Sequence, residues 1–152
     1  MSKKVVKPID VVKVLKRLQD FDEDCGDVIT NLKAQKLAYY AQGVSYAMLG
    51  TPLFDDDFEA WLHGPVIPSL YDELKQFENR QIEIKTDYDD KLFSKEQLDV
   101  IVRTYKTFGQ YSAWKLRDMT HQELPWKNTK RNQVISKELI RSYFMAKYAK
   151  TI

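Results

Sequence analysis

The sequence predicts a mainly α fold, a single compact helical domain with one short β-strand or hairpin element. Apolar residues recur at helical spacing through most of the chain, which is the main signal for helices. The length of 152 residues is that of one ordinary domain. The composition is 43% hydrophobic and 30% charged, with five glycines and five prolines, which is typical of a globular protein without a long linker. We therefore expect residues 1–152 to form one domain.

Two helices are expected in the first third of the chain. The first has Asp10 as its predicted N-cap, and acidic residues 21–27 then indicate a loop. Thr30 or Asn31 caps a longer helix that ends at Gly50, because glycine is favoured just after a helix C-terminus. The apolar stripe of the longer helix consists of Leu32, Leu37, Tyr40, Ala41, Val44 and Met48.

The middle of the chain breaks the helical pattern. Residues 53–68 contain two prolines, which remove backbone donors and disfavour helix in the preceding residue, so this stretch is predicted to be extended or turn-like. Pro68 or Ser69 can open a short helix, since proline suits the first helical position. Ile82 and Ile84 alternate with polar residues, and this alternation predicts a short strand or extended segment.

Three further helices are predicted towards the C-terminus. Ser94 and Gln97 have the spacing of a capping box and begin a helix that Gly109 ends. Ser112 is the predicted cap of the next helix and Ser136 opens the last one, with a break around a proline between them.

Charge is nearly balanced overall but unevenly distributed. The net charge is +2, yet residues 127–152 hold seven basic residues and one acidic residue, while residues 54–90 hold eleven acidic and three basic residues. This asymmetry can steer a charged partner, or the two segments can neutralise each other within the fold. The balanced total argues against direct nucleic-acid binding, which usually has a strongly basic footprint.

The sequence also points to a compartment. No window approaches 18 uninterrupted apolar residues, so no membrane span is expected. The N-terminus lacks the apolar region of a secretory signal. A single cysteine, Cys25, cannot form an internal disulfide and suits a reducing environment. We expect a cytoplasmic protein.

Catalytic and cofactor motifs are missing from the sequence. Cys25, His63 and His121 are scattered, with no CxxC or HExxH spacing, so no metal is expected. The five glycines form no phosphate-binding loop, and no cofactor is expected. The prediction is therefore that the protein is not an enzyme. The alternative is a small enzyme that uses His63 or His121 with a nearby carboxylate for acid–base chemistry.

Aromatic residues cluster around the irregular segments and offer binding candidates. Most must fill the core of a small helical domain, but some can be surface anchors, since Trp, Tyr and Arg dominate the energetics of interfaces. The candidate partner-binding residues are Tyr40, Phe54, Trp61, His63, Tyr71 and Trp126.

Several of these residues belong to an ordered string of motifs with a known likeness. The string runs through Gln35–Gly43, Gly50–Phe54, Glu59–Val66 and Pro68–Leu74, continues at Tyr111–His121 and Pro125–Trp126, and closes at Ile135–Ile140. It resembles the Panacea domain, a family of phage- and mobile-element-associated proteins found in toxin–antitoxin systems. The resemblance runs from about Val11 to Phe144. One departure is Val44-Ser45, where many relatives have a tryptophan.

The resemblance implies a cytoplasmic protein that acts by binding another protein. Panacea domains serve as antitoxins that neutralise toxins usually encoded beside them, so the implied partner is a co-encoded toxin that the chain masks by direct binding. A second possibility in the same class is a protease adaptor, with a host protease as a further partner. Nothing in the sequence separates masking from delivery for degradation.

Overall fold

Seven α-helices and a small antiparallel sheet make up the part of the chain that the computed structural model describes, residues 5–23 and 27–148. The helices are α1 (Pro8–Asp20), α2 (Asn31–Leu49), α3 (Pro68–Leu74), α4 (Lys95–Phe108), α5 (Ala113–His121), α6 (Leu124–Lys127) and α7 (Lys137–Tyr148). The strands are β1 (Phe58–Trp61), β2 (Gly64–Val66) and β3 (Val134–Ile135). The predicted mainly α fold is confirmed. Cys25 lies outside the described residues.

Helix α2 is the central element of the fold. It packs against α1, α4, α5, α7 and strand β2, and it is buried along most of its length. The hydroxyl of Thr30 accepts a hydrogen bond from the backbone N–H of Lys33, and Gly50 ends the helix with a φ of 75°, so both predicted ends are confirmed. Gly43 is required by close packing, because a Cβ there would lie 2.4 Å from the ring of Phe144 on α7.

The three strands lie in the order β2-β1-β3, and both pairs are antiparallel. In the β1–β2 hairpin Ala60 is opposite Pro65, and a tight turn follows Trp61. Gly64 has a φ of 113°, which an L side chain rarely adopts, and a Cβ there would meet Lys36 at 2.6 Å. The turn carrying Leu62 thus depends on glycine.

The stretch at Ile82 and Ile84, predicted as a short strand or extended segment, forms no strand. This stretch is irregular, although the backbone N–H of Ile82 donates to the carbonyl of Ile29 and the Ile82 side chain is fully buried. The apolar and polar residues alternate there because one side of the segment is buried and the other faces solvent. In the described part of the chain, no neighbouring strand forms hydrogen bonds with this segment as in a sheet. Strands β1 and β2 instead form within residues 53–68, where extended or turn-like backbone was predicted, and that prediction is confirmed; β3 joins them from the segment before α7.

Helix caps follow the sequence with one correction. The predicted Asp10 cap of α1 is wrong: Lys7 is the N-cap, and the carboxylate of Asp10, in the first turn, accepts the backbone N–H of Lys7 at 2.9 Å. The predicted caps at Ser94, Ser112 and Ser136 are confirmed, each hydroxyl accepting a backbone N–H three residues later. The predicted break before the last helix contains a single helical turn, α6.

One apolar cluster connects all the longer helices with β1 and β3. It includes residues from α1, α2, α4 and α7, together with side chains from the irregular segments before β1 and before α4. No helix within the described ranges is long and apolar enough to cross a membrane.

Candidate functional site

A groove of about 670 Å³ opens on one side of the molecule. Its walls are the start of α2, the β1–β2 turn, α3 and the start of α5. The apolar and aromatic residues that line it are Val28, Leu32, Trp61, Leu62, Val66, Tyr71, Ala113 and Trp114. Polar and charged residues, including Asp27, Lys75 and Glu78, complete the lining. A preformed concave surface of this kind is typical of a binding site.

Exposed apolar side chains concentrate at this groove. Trp114 is 56% exposed and Leu62 is 65% exposed, while Val28 and Tyr71 are also exposed. The Tyr71 ring meets the Trp61 ring edge-on, with centroids 5.1 Å apart. Four exposed large apolar side chains at one concavity are more than scattered surface residues, and such patches commonly mark protein–protein contacts.

Side chains of α2 hold the walls of the groove in place. The backbone N–H of Ile67 donates to Gln35 Oε1 at 3.0 Å, and Gln35 Nε2 donates to Asn31 Oδ1 at 2.9 Å. Lys36 Nζ donates to the carbonyl of Pro65 at 2.9 Å. These bonds are buried, so the backbone of β2 is tied to α2 and the turn that carries Leu62 is fixed relative to the groove floor.

Lys36 is an unusual anchor because it is fully buried. Burial, followed by the nearby positive charge of Arg117, lowers the pKa of Lys36 to about 7. The carbonyl of Pro65 accepts one hydrogen bond from the Lys36 ammonium group, but it has no negative charge that would neutralise the ammonium. The hairpin is therefore held by a group that changes charge near neutral pH.

The edge of the groove continues into a row of paired aromatic and cationic groups. The His63 and Trp114 rings meet edge-on at 5.3 Å, and the guanidinium carbon of Arg117 lies 5.0 Å from the Trp114 ring centroid. Arg117 Nε donates to His63 Nδ1 at 3.1 Å. His63 is therefore bound to a cation through one ring nitrogen.

Trp126 and His121 form a second aromatic pair further along α5. Their rings stack with centroids 3.9 Å apart, and Trp126 Nε1 donates to the carbonyl of Trp61 at 2.8 Å. Burial, followed by the charge of Arg117, lowers the pKa of His121. Its Nε2 atom has no hydrogen-bond partner among the residues that the structure describes. Trp126 thus locks α6 onto the end of β1.

Behind the groove lies a buried carboxylate surrounded by tyrosines. Glu123 accepts hydrogen bonds from the hydroxyls of Tyr39 at 3.1 Å and Tyr40 at 2.9 Å. Burial raises the pKa of Glu123 to about 7, although both hydrogen bonds favour the ionised form. Burial is the main cause, and the negative charge of Glu123 the second, that raises the pKa of Tyr39 and of Tyr40 well above the ordinary tyrosine value. This network joins α2 to the start of α6 and faces the interior.

The six candidate binding residues fall into three groups. Trp61, His63 and Tyr71 line the groove together. Tyr40 is 0% exposed and Phe54 is 3% exposed, and both belong to the core. Trp126 is half-buried next to the groove and contacts Trp61, as described above.

Sequence reasoning missed Trp114 and Arg117 as site residues. Trp114 is not among the six candidate residues, yet it is the most exposed tryptophan of the groove. The sequence held one usable signal, the spacing between Trp114 and Leu116. Residues two positions apart on a helix lie on different faces, so these two side chains cannot both point to the same core. Leu116 is fully buried and Trp114 is exposed.

The histidines have no acid–base partner in this arrangement. Within residues 5–23 and 27–148, neither His63 nor His121 forms a hydrogen bond with a carboxylate, and Glu123 binds tyrosines instead. In the same ranges, no group of three His, Cys, Asp or Glu side chains could hold a metal ion.

Comparison with known proteins places the chain in a family. Residues 34–127, more than half of the chain, match the family described as Antitoxin SocA-like, Panacea domain. The chain belongs to the Panacea domain family. The matched residues contain all of α2 except its first three residues, together with the hairpin, α3 and α5, and therefore most of the groove.

A curated relative supports this membership. Antitoxin SocA of Caulobacter vibrioides (strain NA1000 / CB15N) is 49% identical over 43 residues, which make up 28% of this chain and 23% of that protein. The chain thus covers less than a quarter of the length of this relative. No solved structure is a significant match. The family description and the name of this relative both refer to antitoxins.

Proposed function

We propose that this Panacea-family chain is an antitoxin that neutralises a co-encoded toxin by direct binding, and that the groove is the contact surface. The supporting observation is that exposed Trp114, Leu62 and Tyr71 converge on one preformed concavity. Aromatic side chains with few rotatable bonds lose little entropy on binding and are frequent interface anchors. The whole chain acts as one domain in the cytoplasm, with a toxin as its protein partner.

Gln35 and Lys36 support this proposal because they prepare the surface before a partner arrives. They hold the hairpin through buried hydrogen bonds to Ile67 and Pro65. A surface that needs no reordering on binding avoids part of the entropic cost of association. The groove is therefore suited to tight and stable binding.

The direct test is co-expression with the products of the neighbouring open reading frames. We expect one of them to stop growth when expressed alone, and expect this chain to restore growth and to co-purify with it. Trp114→Ala and Tyr71→Ala should weaken both effects. Phe21→Ala is the matched control, since Phe21 is an exposed aromatic residue at the end of α1, outside the groove.

The same experiment distinguishes masking from protease delivery. If protection disappears in a host strain that lacks the relevant protease while the complex still forms, the chain is an adaptor. A complex that protects in every protease-deficient strain supports masking. Toxicity without rescue, or no toxic neighbour at all, would contradict the proposal and would favour tests of His63 and His121 as acid–base residues.

A further inference from the structure

A row of aromatic and cationic side chains leads away from the groove along α5 and continues through α6 to the turn before β3. We call it the aromatic–cation stripe, and it consists of Trp114, Arg117, His121, Trp126 and Arg131. Trp114, Arg117 and His121 are spaced three and four residues apart, so they lie along one face of the helix. Trp114 also lines the groove, and the stripe is continuous with it.

Both arginines of the stripe are oriented by a tryptophan ring. The guanidinium carbon of Arg117 lies 5.0 Å from the ring centroid of Trp114, and that of Arg131 lies 4.1 Å from the ring centroid of Trp126. Stacking on a ring holds the planar guanidinium in one orientation, with its N–H groups directed sideways. Such a group is ready to bind a carboxylate through two hydrogen bonds.

The two guanidinium groups differ in their protein partners. Arg117 donates to His63 Nδ1 and to the carboxylate of Asp118, the latter at 2.9 Å. Arg131 forms no ion pair with any residue in the described part of the chain. The positive charge of Arg131 is therefore not neutralised by an ion pair. Its guanidinium group lies over the ring of Trp126, next to the proposed contact site.

The position of Arg131 is fixed by the sheet. It lies in the turn before β3, where Asn132 has a φ of 67° and its backbone N–H donates to the carbonyl of Ala60 at 2.6 Å. The backbone N–H of Ala60 in turn donates to the carbonyl of Gln133 at 3.0 Å. Because these bonds attach the turn to β1, Arg131 is presented from a rigid element rather than from a loose loop.

From these observations, and resting on the function proposed above, we propose that the toxin's contact segment places an apolar side chain in the groove and acidic side chains on Arg117 and Arg131. The stripe supplies two oriented guanidinium groups, and its neighbouring carboxylate, Asp118, is already paired with Arg117. The expected partner is therefore an acidic protein segment with an apolar anchor. Charge complementarity of this kind speeds encounter and fixes register.

A single-stranded RNA is the other occupant that aromatic and cationic groups could accept. The structure favours protein, because the His121 and Trp126 rings are stacked on each other rather than open for a base. Two guanidinium groups are also few for a nucleic-acid surface, which usually carries a broad basic patch.

The test measures the affinity of the complex with the toxic neighbouring product at low and high salt. All three tryptophans of the chain lie in the groove or the stripe, so intrinsic fluorescence reports binding at this surface. Arg131→Gln and Arg117→Gln should each raise the Kd about tenfold at low salt, with a smaller salt dependence. Arg17→Gln, a change of an exposed arginine on α1, is the control and should stay within about twofold.

The outcomes separate this inference from the proposed function. If Trp114→Ala weakens the complex but the Arg117→Gln/Arg131→Gln double variant binds like Arg17→Gln, the groove is the contact site and the stripe is not. If wild-type protein does not bind the toxin, both proposals are wrong. Arginine-dependent binding of a fluorescent single-stranded RNA at physiological salt would overturn the stripe proposal in favour of a nucleic-acid partner. Circular dichroism of every variant checks that the fold is retained.

Discussion

The aromatic side chains of this protein form two groups with different partners. The inner group is buried between α2, α4, α7 and β1 and consists of Tyr39, Tyr40, Phe58, Phe108 and Phe144. Its rings pack mostly edge-on against one another, apart from Tyr40 and Phe108, which stack at 4.1 Å. The outer group lies at the groove and the stripe and consists of Trp61, His63, Tyr71, Trp114 and Trp126.

The two groups differ in what completes their contacts. In the inner group each ring is surrounded by protein, and the hydroxyls of Tyr39 and Tyr40 donate hydrogen bonds to the Glu123 carboxylate. In the outer group several ring faces and edges are open, and the partners are guanidinium groups and a backbone carbonyl. Changes to the inner group should therefore alter stability, while changes to the outer group should alter binding.

The largest effect is expected from Phe144→Ala in the inner group. Phe144 is fully buried and contacts both Tyr39 and Tyr40, and its ring fills the space that Gly43 leaves open. We expect a loss of about 4 kcal/mol in the free energy of unfolding, since truncation leaves a cavity that the helices cannot close. Urea denaturation measures this loss. A decrease below about 1 kcal/mol would mean that the inner group is not the packing centre.

The second effect concerns pH and the buried carboxylate. Because burial raises the pKa of Glu123 from 4.5 to about 7, the folded state binds more protons than the unfolded state between these values. Stability supplied by the protonated form is present below pH 4.5 and is lost as pH rises to about 7. Relative to Glu123→Gln, which cannot ionise, wild-type protein should lose roughly 3 kcal/mol over this window.

Urea denaturation of both proteins at pH 5 and pH 8 checks the prediction. The comparison removes the contribution of Lys36, which is the same in wild type and variant. An equal stability difference at both pH values would show that Glu123 does not change its protonation in this window.

A third prediction applies to the outer group. Trp114→Ala should weaken toxin binding by about 2 kcal/mol, the size expected for an interface anchor. The free energy of unfolding should change by less than about 0.5 kcal/mol, because the side chain is more than half exposed. Calorimetric titration and urea denaturation give the two numbers. Loss of stability without loss of binding would place Trp114 with the inner group.

The smallest effect comes from removing one hydroxyl in each group. Tyr40→Phe breaks the 2.9 Å hydrogen bond to Glu123 and should cost about 1–2 kcal/mol of stability. Tyr71→Phe should change stability by less than about 0.5 kcal/mol, since its hydroxyl forms no hydrogen bond within the described ranges. The two variants make the same chemical change, so thermal denaturation of both compares buried with exposed positions directly. Equal effects would remove the distinction.

Most helices were predictable because their ends are set by local chemistry. Ser94 with Gln97, Thr30 with Gly50, and Ser112 each satisfy backbone groups within a few residues, so the pattern in the sequence is enough. The strand prediction at Ile82 failed for the opposite reason. A strand needs a partner, and the partner of β1 that completes the sheet, β3, lies more than 70 residues away in the chain.

The candidate site was predictable only in part. Trp61, His63 and Tyr71 lie close in sequence around the hairpin and α3, and the structure brings them together. Trp114 joins them from α5, and this long-range approach leaves no local pattern. Tyr40 was proposed as an aromatic surface anchor, yet it faces the interior because α7 covers that side of α2.

The sequence by itself determined the helical class, most of the helix caps, the irregular middle segment and the family, since each depends on residue types at short spacing. Tertiary structure alone decided which aromatic side chains are core and which are surface. It also decided that Lys36 and Glu123 are buried, which shifts the pKa of each towards 7. The physical reason is that burial depends on what packs over a residue, and in this fold the covering elements come from distant parts of the chain.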